Sequence, residues 1–136
     1  MKARLINIVA AIAFSLYLTA VALLCFMHGE DLPTFTGTWF GLPADKVAHF
    51  SMFFPFIPLA FLTFNREKAT LGRSLILLII LIFIGGATAY ATEIVQEKLS
   101  YRSYEVKDFI SDCIGLAAGY TVITTWLIFK YSRKKH

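Results

Sequence analysis

Apolar residues run along this chain in four long blocks separated by short polar segments. Leu5 to Met27 and Ser74 to Thr92 carry no charge, Val47 to Asn65 contains His49, Pro55 and Pro58, and Phe109 to Phe129 contains one acid, Asp112. Crossing the core of a bilayer takes about 17–25 residues of helix. The pattern therefore predicts four spanning helices, at about 5–27, 46–65, 74–96 and 108–130. The short Asn65–Arg73 segment makes the second and third spans an antiparallel hairpin. The expected fold class is all-α: a polytopic membrane protein with four transmembrane helices in a compact bundle, one domain over residues 1–136.

Composition changes the picture only by excluding the soluble alternatives. Of 136 residues, 57% are hydrophobic and 16% charged, where about 25% charged is usual in soluble domains. A soluble protein of this size has too little interior to hide that much apolar surface. Two cysteines are too few for a disulfide framework. An ordinary soluble enzyme, a disordered tail and a secreted disulfide-rich module are thereby excluded.

The net charge of +4 is a topology signal rather than a sign of a nucleic-acid partner. With both termini and the Asn65–Arg73 loop on one side, that side holds Lys2, Arg4, Arg66, Lys68, Arg73, Lys130, Arg133, Lys134 and Lys135, which is nine of the 13 basic residues. Lys46, Lys98, Arg102 and Lys107 are left on the other. The positive-inside rule then predicts cytoplasmic termini and two extracytoplasmic loops. Acidic residues divide the opposite way, with only Glu67 inside. The first block also resembles a signal peptide, with Ala20-Val21-Ala22 as a small-residue site, but it is longer than the usual 7–15-residue apolar region and reads as a span. In the outer segment from His28 to Asp45, Phe35, Trp39 and Phe40 suit the membrane–water boundary. A loop resting on the headgroups is expected there, with a lid over a site as the functional alternative.

The polar residues inside the spans share faces. Asp108, Asp112, Gly115 and Gly119 are spaced i, i+4, i+7, i+11 and fall on one side of a helix. Small residues at such spacing mark close helix contacts in membranes, so this carboxylate-bearing face is expected to look inward. Gly86, Ala89, Glu93 and Gln96 form a similar stripe in the third span, and Asp45 and His49 are i, i+4 in the second. Each ionisable group within a span costs at least about 2.5–3.5 kcal/mol on insertion scales. Membrane hydrogen bonds return only about 0.6 kcal/mol on average. Holding the bundle together, by Asp112 with His49 or Glu93 with Arg102, is thus a weaker explanation of the cluster than function.

These residues resemble the VanZ-like family of membrane proteins. Asp45-Lys46-Val47-Ala48-His49-Phe50 matches the family's Asp-Lys-x-x-His-Phe, and Glu93-Ile94-Val95-Gln96 its Glu-x-x-Gln. Arg102, Asp108, Gly115 and Gly119 follow at the family's spacing. Asp112 stands where the pattern usually has Asn, and Ser100-Tyr101 where Pro-Gly often precedes the Arg. The resemblance covers most of the chain from Asp45 onward. It implies a multi-pass protein of the bacterial cytoplasmic membrane, and low-level resistance to the glycopeptide teicoplanin, for which the family is named. It implies no particular reaction.

The leading expectation is a polar site at the extracytoplasmic leaflet that acts on or binds a lipid-linked or cell-envelope molecule, such as a cell-wall precursor or a glycopeptide. His49, Asp45, Glu93, Asp108 and Asp112 are the candidate acid–base residues, since a histidine beside carboxylates supplies both proton donor and acceptor. Lys46, Gln96, Arg102 and Lys107 are the candidate substrate-binding residues, with the cations holding an anionic group. One interior histidine is thin for zinc, whereas a carboxylate-rich set with one histidine suits Mg²⁺, Mn²⁺ or Ca²⁺; the pattern does not require a metal. Ser51, Ser111 and Cys113 show no partnered nucleophile arrangement, and Cys113 reads as a buried small hydrophobe with a disulfide to Cys25 an open alternative. His28 and His136 read as surface residues. The competing expectation is a non-catalytic structural or assembly subunit whose polar faces stabilise the bundle or a partner complex.

Overall fold

The computed structural model describes residues 2–26, 37–65, 68–98 and 105–133. In chain order these form α1 (Lys2–Phe26), the short strands β1 (Thr38–Trp39) and β2 (Leu42–Pro43), α2 (Ala44–Phe53), α3 (Phe56–Phe64), α4 (Leu71–Lys98) and α5 (Val106–Ser132). Among the described residues four stretches are long and apolar enough to cross a membrane: Arg4–Leu24, Ala44–Phe64, Leu71–Lys98 and Val106–Ser132. The protein is a multi-pass, predominantly helical membrane protein. At 1.5 Å per residue, the 28-residue α4 is about 42 Å long, against about 30 Å of hydrocarbon. Its polar C-terminal turns therefore reach the headgroup region while the Leu/Ile-rich middle fills the hydrocarbon.

The second span departs from the single helix expected over 46–65. It breaks between α2 and α3, at Phe54 and Pro55. Phe54 still donates its N–H to the Phe50 carbonyl at 2.9 Å, but Pro55 has no N–H to continue the ladder. The helix resumes when the Leu59 N–H reaches the Pro55 carbonyl at 3.0 Å. Pro58 likewise offers nothing to the Phe54 carbonyl. Against this bent backbone pack two glycines of α5. A Cβ on Gly115 would lie 2.5 Å from the Phe50 carbonyl oxygen, and one on Gly119 would lie 2.6 Å from that of Phe54. The inward glycine face of the fourth span is therefore a seat for the kink of the second.

The core consists of Phe53, Phe56, Ile57, Ala60 and Phe61 from the bent span, Leu78, Leu81 and Ala89 from α4, and Leu116, Ile123 and Leu127 from α5. α1 packs mainly on α3. The Tyr17 hydroxyl donates to the Met52 carbonyl at 2.7 Å, just before the break. Outward faces are apolar as well: Phe83 is 74% exposed and Ile79, Ile80 and Ile84 about half, as lipid-facing positions must be. On the expected α4 stripe Ala89 and Glu93 are buried and one position differs. Gly85, not Gly86, is the packed glycine; a Cβ there would meet Leu116 Cδ2 at 2.7 Å, whereas one on Gly86 meets nothing within 4 Å. In a helix apolar all round, periodicity only weakly marks the buried side.

Contacts at one end of the bundle bring the start of α1 and the end of α5 to the same side. The Asn7 side chain donates to the Asn65 carbonyl at 3.1 Å, and the Tyr131 hydroxyl to the Ala69 carbonyl at 2.6 Å. The start of α1 and the end of α5 thus lie beside Asn65 and Ala69, between α3 and α4. At the opposite end, β1 and β2 pair antiparallel, Thr38 with Pro43 and Trp39 with Leu42. Phe40 (φ 54°) and Gly41 (φ 77°) turn between them, the positive φ pair of a type I′ hairpin. The sequence reading expected a loop here and no strands. Trp39 and Phe40 are exposed; Phe35 lies outside the described residues, and the hairpin leads directly into α2.

Candidate functional site

The hairpin end of the bundle is where the polar side chains of three spans meet. His49 sits in the second turn of α2, Glu93 near the end of α4, and Asp108 and Asp112 in the first two turns of α5. Each arrives by the helical periodicity of its own span. Asp112 is two turns before Gly119 on the face pressed against α2, and α2 presents His49 to that face. All four are buried, between 0% and 4% exposed.

His49 Nδ1 lies 2.9 Å from Asp112 Oδ1 and 3.7 Å from Glu93 Oε1. On its other edge, Nε2 is 3.6 Å from Asp108 Oδ2. The imidazole is therefore enclosed by three carboxylates, one on α4 and two on α5. Asp112 Oδ2 is buried and has no hydrogen-bond partner among the described residues.

A second layer covers this one. Lys46, three residues before His49, places its ammonium 3.0 Å from Asp45 Oδ2 and 2.7 Å from Glu105 Oε2, and pairs with Asp108 Oδ1 as well. Asp108 thus joins the layers, one oxygen on lysine and the other facing histidine. Asp45 and Glu105 form the wetter rim, with side chains 32% and 52% exposed. Five carboxylates surround one lysine and one histidine, so the cluster is strongly acidic in a low-dielectric setting.

The structure brings together His49, Glu93, Asp108 and Asp112, and links Asp45 to them through Lys46. Gln96 is half-buried one turn beyond Glu93, and Lys107 is exposed at the start of α5. Arg102 lies outside the described residues, as do His28, His136 and the side chain of Cys25. Lys46, read from the sequence as a cation for an anionic ligand, has its ammonium already shared among three carboxylates. Glu105 is the residue that sequence reasoning missed. Its signal was its place three residues before Asp108, which sets both at the entrance of α5.

Chemically, a histidine with carboxylates on both ring edges is an acid–base pair or a cation-binding site. Neither serine near it extends this to a nucleophile: Ser111 donates to the Lys107 carbonyl at 2.9 Å, and Ser51 is exposed. Cys113 is a half-buried free thiol. Among the described residues, two sets of side chains have donor atoms within 4.8 Å of one another, as ligands of one ion would: His49, Glu93 and Asp112, and separately Asp45, Glu105 and Asp108. In the second set the Lys46 ammonium already occupies the cation's place.

Comparison with known families agrees with the motif reading. The family model described as VanZ/LLP1 matches residues 5–129, nearly the whole chain. No curated protein and no solved structure matches it. The chain belongs to the VanZ/LLP1 family.

Proposed function

We propose that this VanZ/LLP1-family protein binds a lipid-linked or cell-envelope molecule through the polar cluster and acts on it there, at the extracytoplasmic leaflet. The observation that supports this reading most is the burial of His49, Glu93, Asp108 and Asp112 at one end of three spans. Four ionisable side chains within the bundle carry an insertion cost, about 2.5–3.5 kcal/mol for a group at the bilayer centre and less toward the headgroups, that apolar packing would not incur. The cluster lies at the end of the bundle away from the termini, and the excess of Lys and Arg at the terminal end supports an extracytoplasmic position for it. Its depth, below the hairpin and at the headgroup ends of α4 and α5, suits a ligand with an acyl tail in the bilayer and a polar head at the boundary.

In this reading His49 transfers the proton at the ligand's polar head through Nε2. Asp112 on Nδ1 orients the ring and stabilises its charged form. Asp108, itself held by Lys46, adds its negative charge on the Nε2 side at 3.6 Å, without a hydrogen bond to the ring. Gln96, Lys107 and Arg102 are the groups assigned to the ligand's head at the rim. Low-level teicoplanin resistance would follow where the ligand is a cell-wall precursor whose exposure to the glycopeptide this protein alters.

Incubation of the purified protein with labelled lipid-linked precursors tests the reading. Turnover that is lost in His49→Ala identifies a catalyst, and retention without turnover a binder. Neither retention nor turnover, with the protein migrating in a larger stable complex, would instead identify an assembly subunit.

A further inference from the structure

We propose that His49, Glu93 and Asp112 form a binding site for a divalent first-row metal ion, with Mn²⁺ as the best-matched member. The inference rests on reading the cluster as a ligand site, but not on which envelope molecule it takes. Three observations carry it. The donor atoms come from three different spans and lie within 4.8 Å of one another, so no local helix geometry accounts for their meeting. Ligands held about 2.0–2.2 Å from one ion stand roughly 3.0–3.5 Å apart, and His49 Nδ1 is 2.9 Å from Asp112 Oδ1 and 3.7 Å from Glu93 Oε1. Asp112 is fully buried, and its Oδ2, one bond angle from the oxygen facing His49, has no hydrogen-bond partner among the described residues.

The surroundings fit a metal in two further ways. With Nδ1 on the ion, the N–H of His49 would lie on Nε2, whose neighbour Asp108 Oδ2 at 3.6 Å is beyond hydrogen-bond length but places a carboxylate's charge on that side. Asp108 is in turn anchored by Lys46. The second three-residue acidic set around Lys46 has its cation already, whereas the deeper set has two carboxylates against one imidazole. A +2 ion balances that excess. Imidazole favours Zn²⁺ and Fe²⁺ and carboxylate favours Mg²⁺, Ca²⁺ and Mn²⁺; a mixed one-nitrogen, two-carboxylate set points to the overlap, where Mn²⁺ sits.

The test is a titration of chelator-stripped full-length protein in mild detergent with MnCl₂, followed by loss of the free-ion electron paramagnetic resonance signal. The expected result is saturable uptake of one Mn²⁺ per chain, weakened at least about tenfold in Asp112→Asn and in His49→Gln. The exposed-acid control Glu97→Gln binds as wild type. Mn²⁺ also raises the unfolding temperature of wild type and leaves that of Asp112→Asn unmoved. No saturable uptake by wild type, or the same affinity in Asp112→Asn, overturns the site. Equal weakening in Glu97→Gln overturns it too, because it reveals diffuse surface binding. Labelled-precursor retention measured with chelator present separates this from the functional reading: a protein that holds precursor but takes up no Mn²⁺ refutes the metal alone, and one that takes up Mn²⁺ but holds no precursor refutes the precursor alone.

Discussion

His49 and Asp112 face each other across the contact between α2 and α5, 2.9 Å apart and both buried. The close approach depends on what lies one turn deeper, where Gly115 has no side chain to hold α5 away from the Phe50 carbonyl. Polar site and glycine seat are therefore one construction. The glycines set the distance between helices, and that distance sets the hydrogen bond.

Gly115→Leu should unfold the bundle, and even Gly115→Ala should cost on the order of 1–3 kcal/mol by forcing a clash with backbone that cannot move aside. Gly86→Ala is the matching control. A Cβ there meets nothing, and alanine is the better helix former by roughly 0.5–1 kcal/mol. Thermal unfolding in detergent should order the three as Gly86→Ala at or above wild type, then Gly115→Ala, then Gly115→Leu.

Lys46 and Asp108 should respond unequally to removal. Lys46→Met leaves Asp45, Glu105 and the buried Asp108 without their shared cation, and breaking a buried pair in this way costs about 3–5 kcal/mol; the wetter rim brings the expected loss to roughly 1–3 kcal/mol. Asp108→Asn leaves Lys46 with two carboxylates and should cost about 1 kcal/mol or less. Denaturation of both variants under one detergent condition measures the difference.

Asp112→Asn should fold. The amide keeps an acceptor for His49 and adds donors, and the substitution removes a buried charge. Its unfolding temperature should stay within a few degrees of wild type, while His49→Ala, which strips both Asp112 and Asp108 of their partner, should fall further. Circular dichroism melts on the purified variants check both.

Orientation is open to chemical labelling. With the polar cluster extracytoplasmic, a membrane-impermeant thiol reagent added outside intact cells should label Gly37→Cys and Ser100→Cys but not Lys68→Cys. The reverse pattern would place the cluster, and every role assigned to it, on the cytoplasmic side.

How much of this was legible in the sequence depended on the kind of contact. The α5 face was, because Asp108, Asp112, Gly115 and Gly119 alternate with larger or exposed residues at a clear helical period. The packed glycine of α4 was misplaced by one position, since Gly85 and Gly86 are adjacent in a run apolar on every side. Pro55 and Pro58 were visible, but the break between α2 and α3 depends on the missing N–H of Pro55 and on what α5 packs against it. Lys46 was assigned to an incoming anion because its partners Glu105 and Asp108 stand 59 and 62 residues away. That pairing is a product of tertiary structure, and the spacing of residues along one helix carries no trace of it.

Whether the polar cluster is a working ligand site or scaffolding is tested most directly by native mass spectrometry of wild type, Arg102→Ala and His49→Ala, each extracted from membranes in mild detergent. The expected result is a folded His49→Ala protein, and an envelope-lipid adduct that wild type carries and Arg102→Ala has lost. The same adduct on wild type and Arg102→Ala, or a His49→Ala chain that collapses as Gly115→Leu does, would contradict the site.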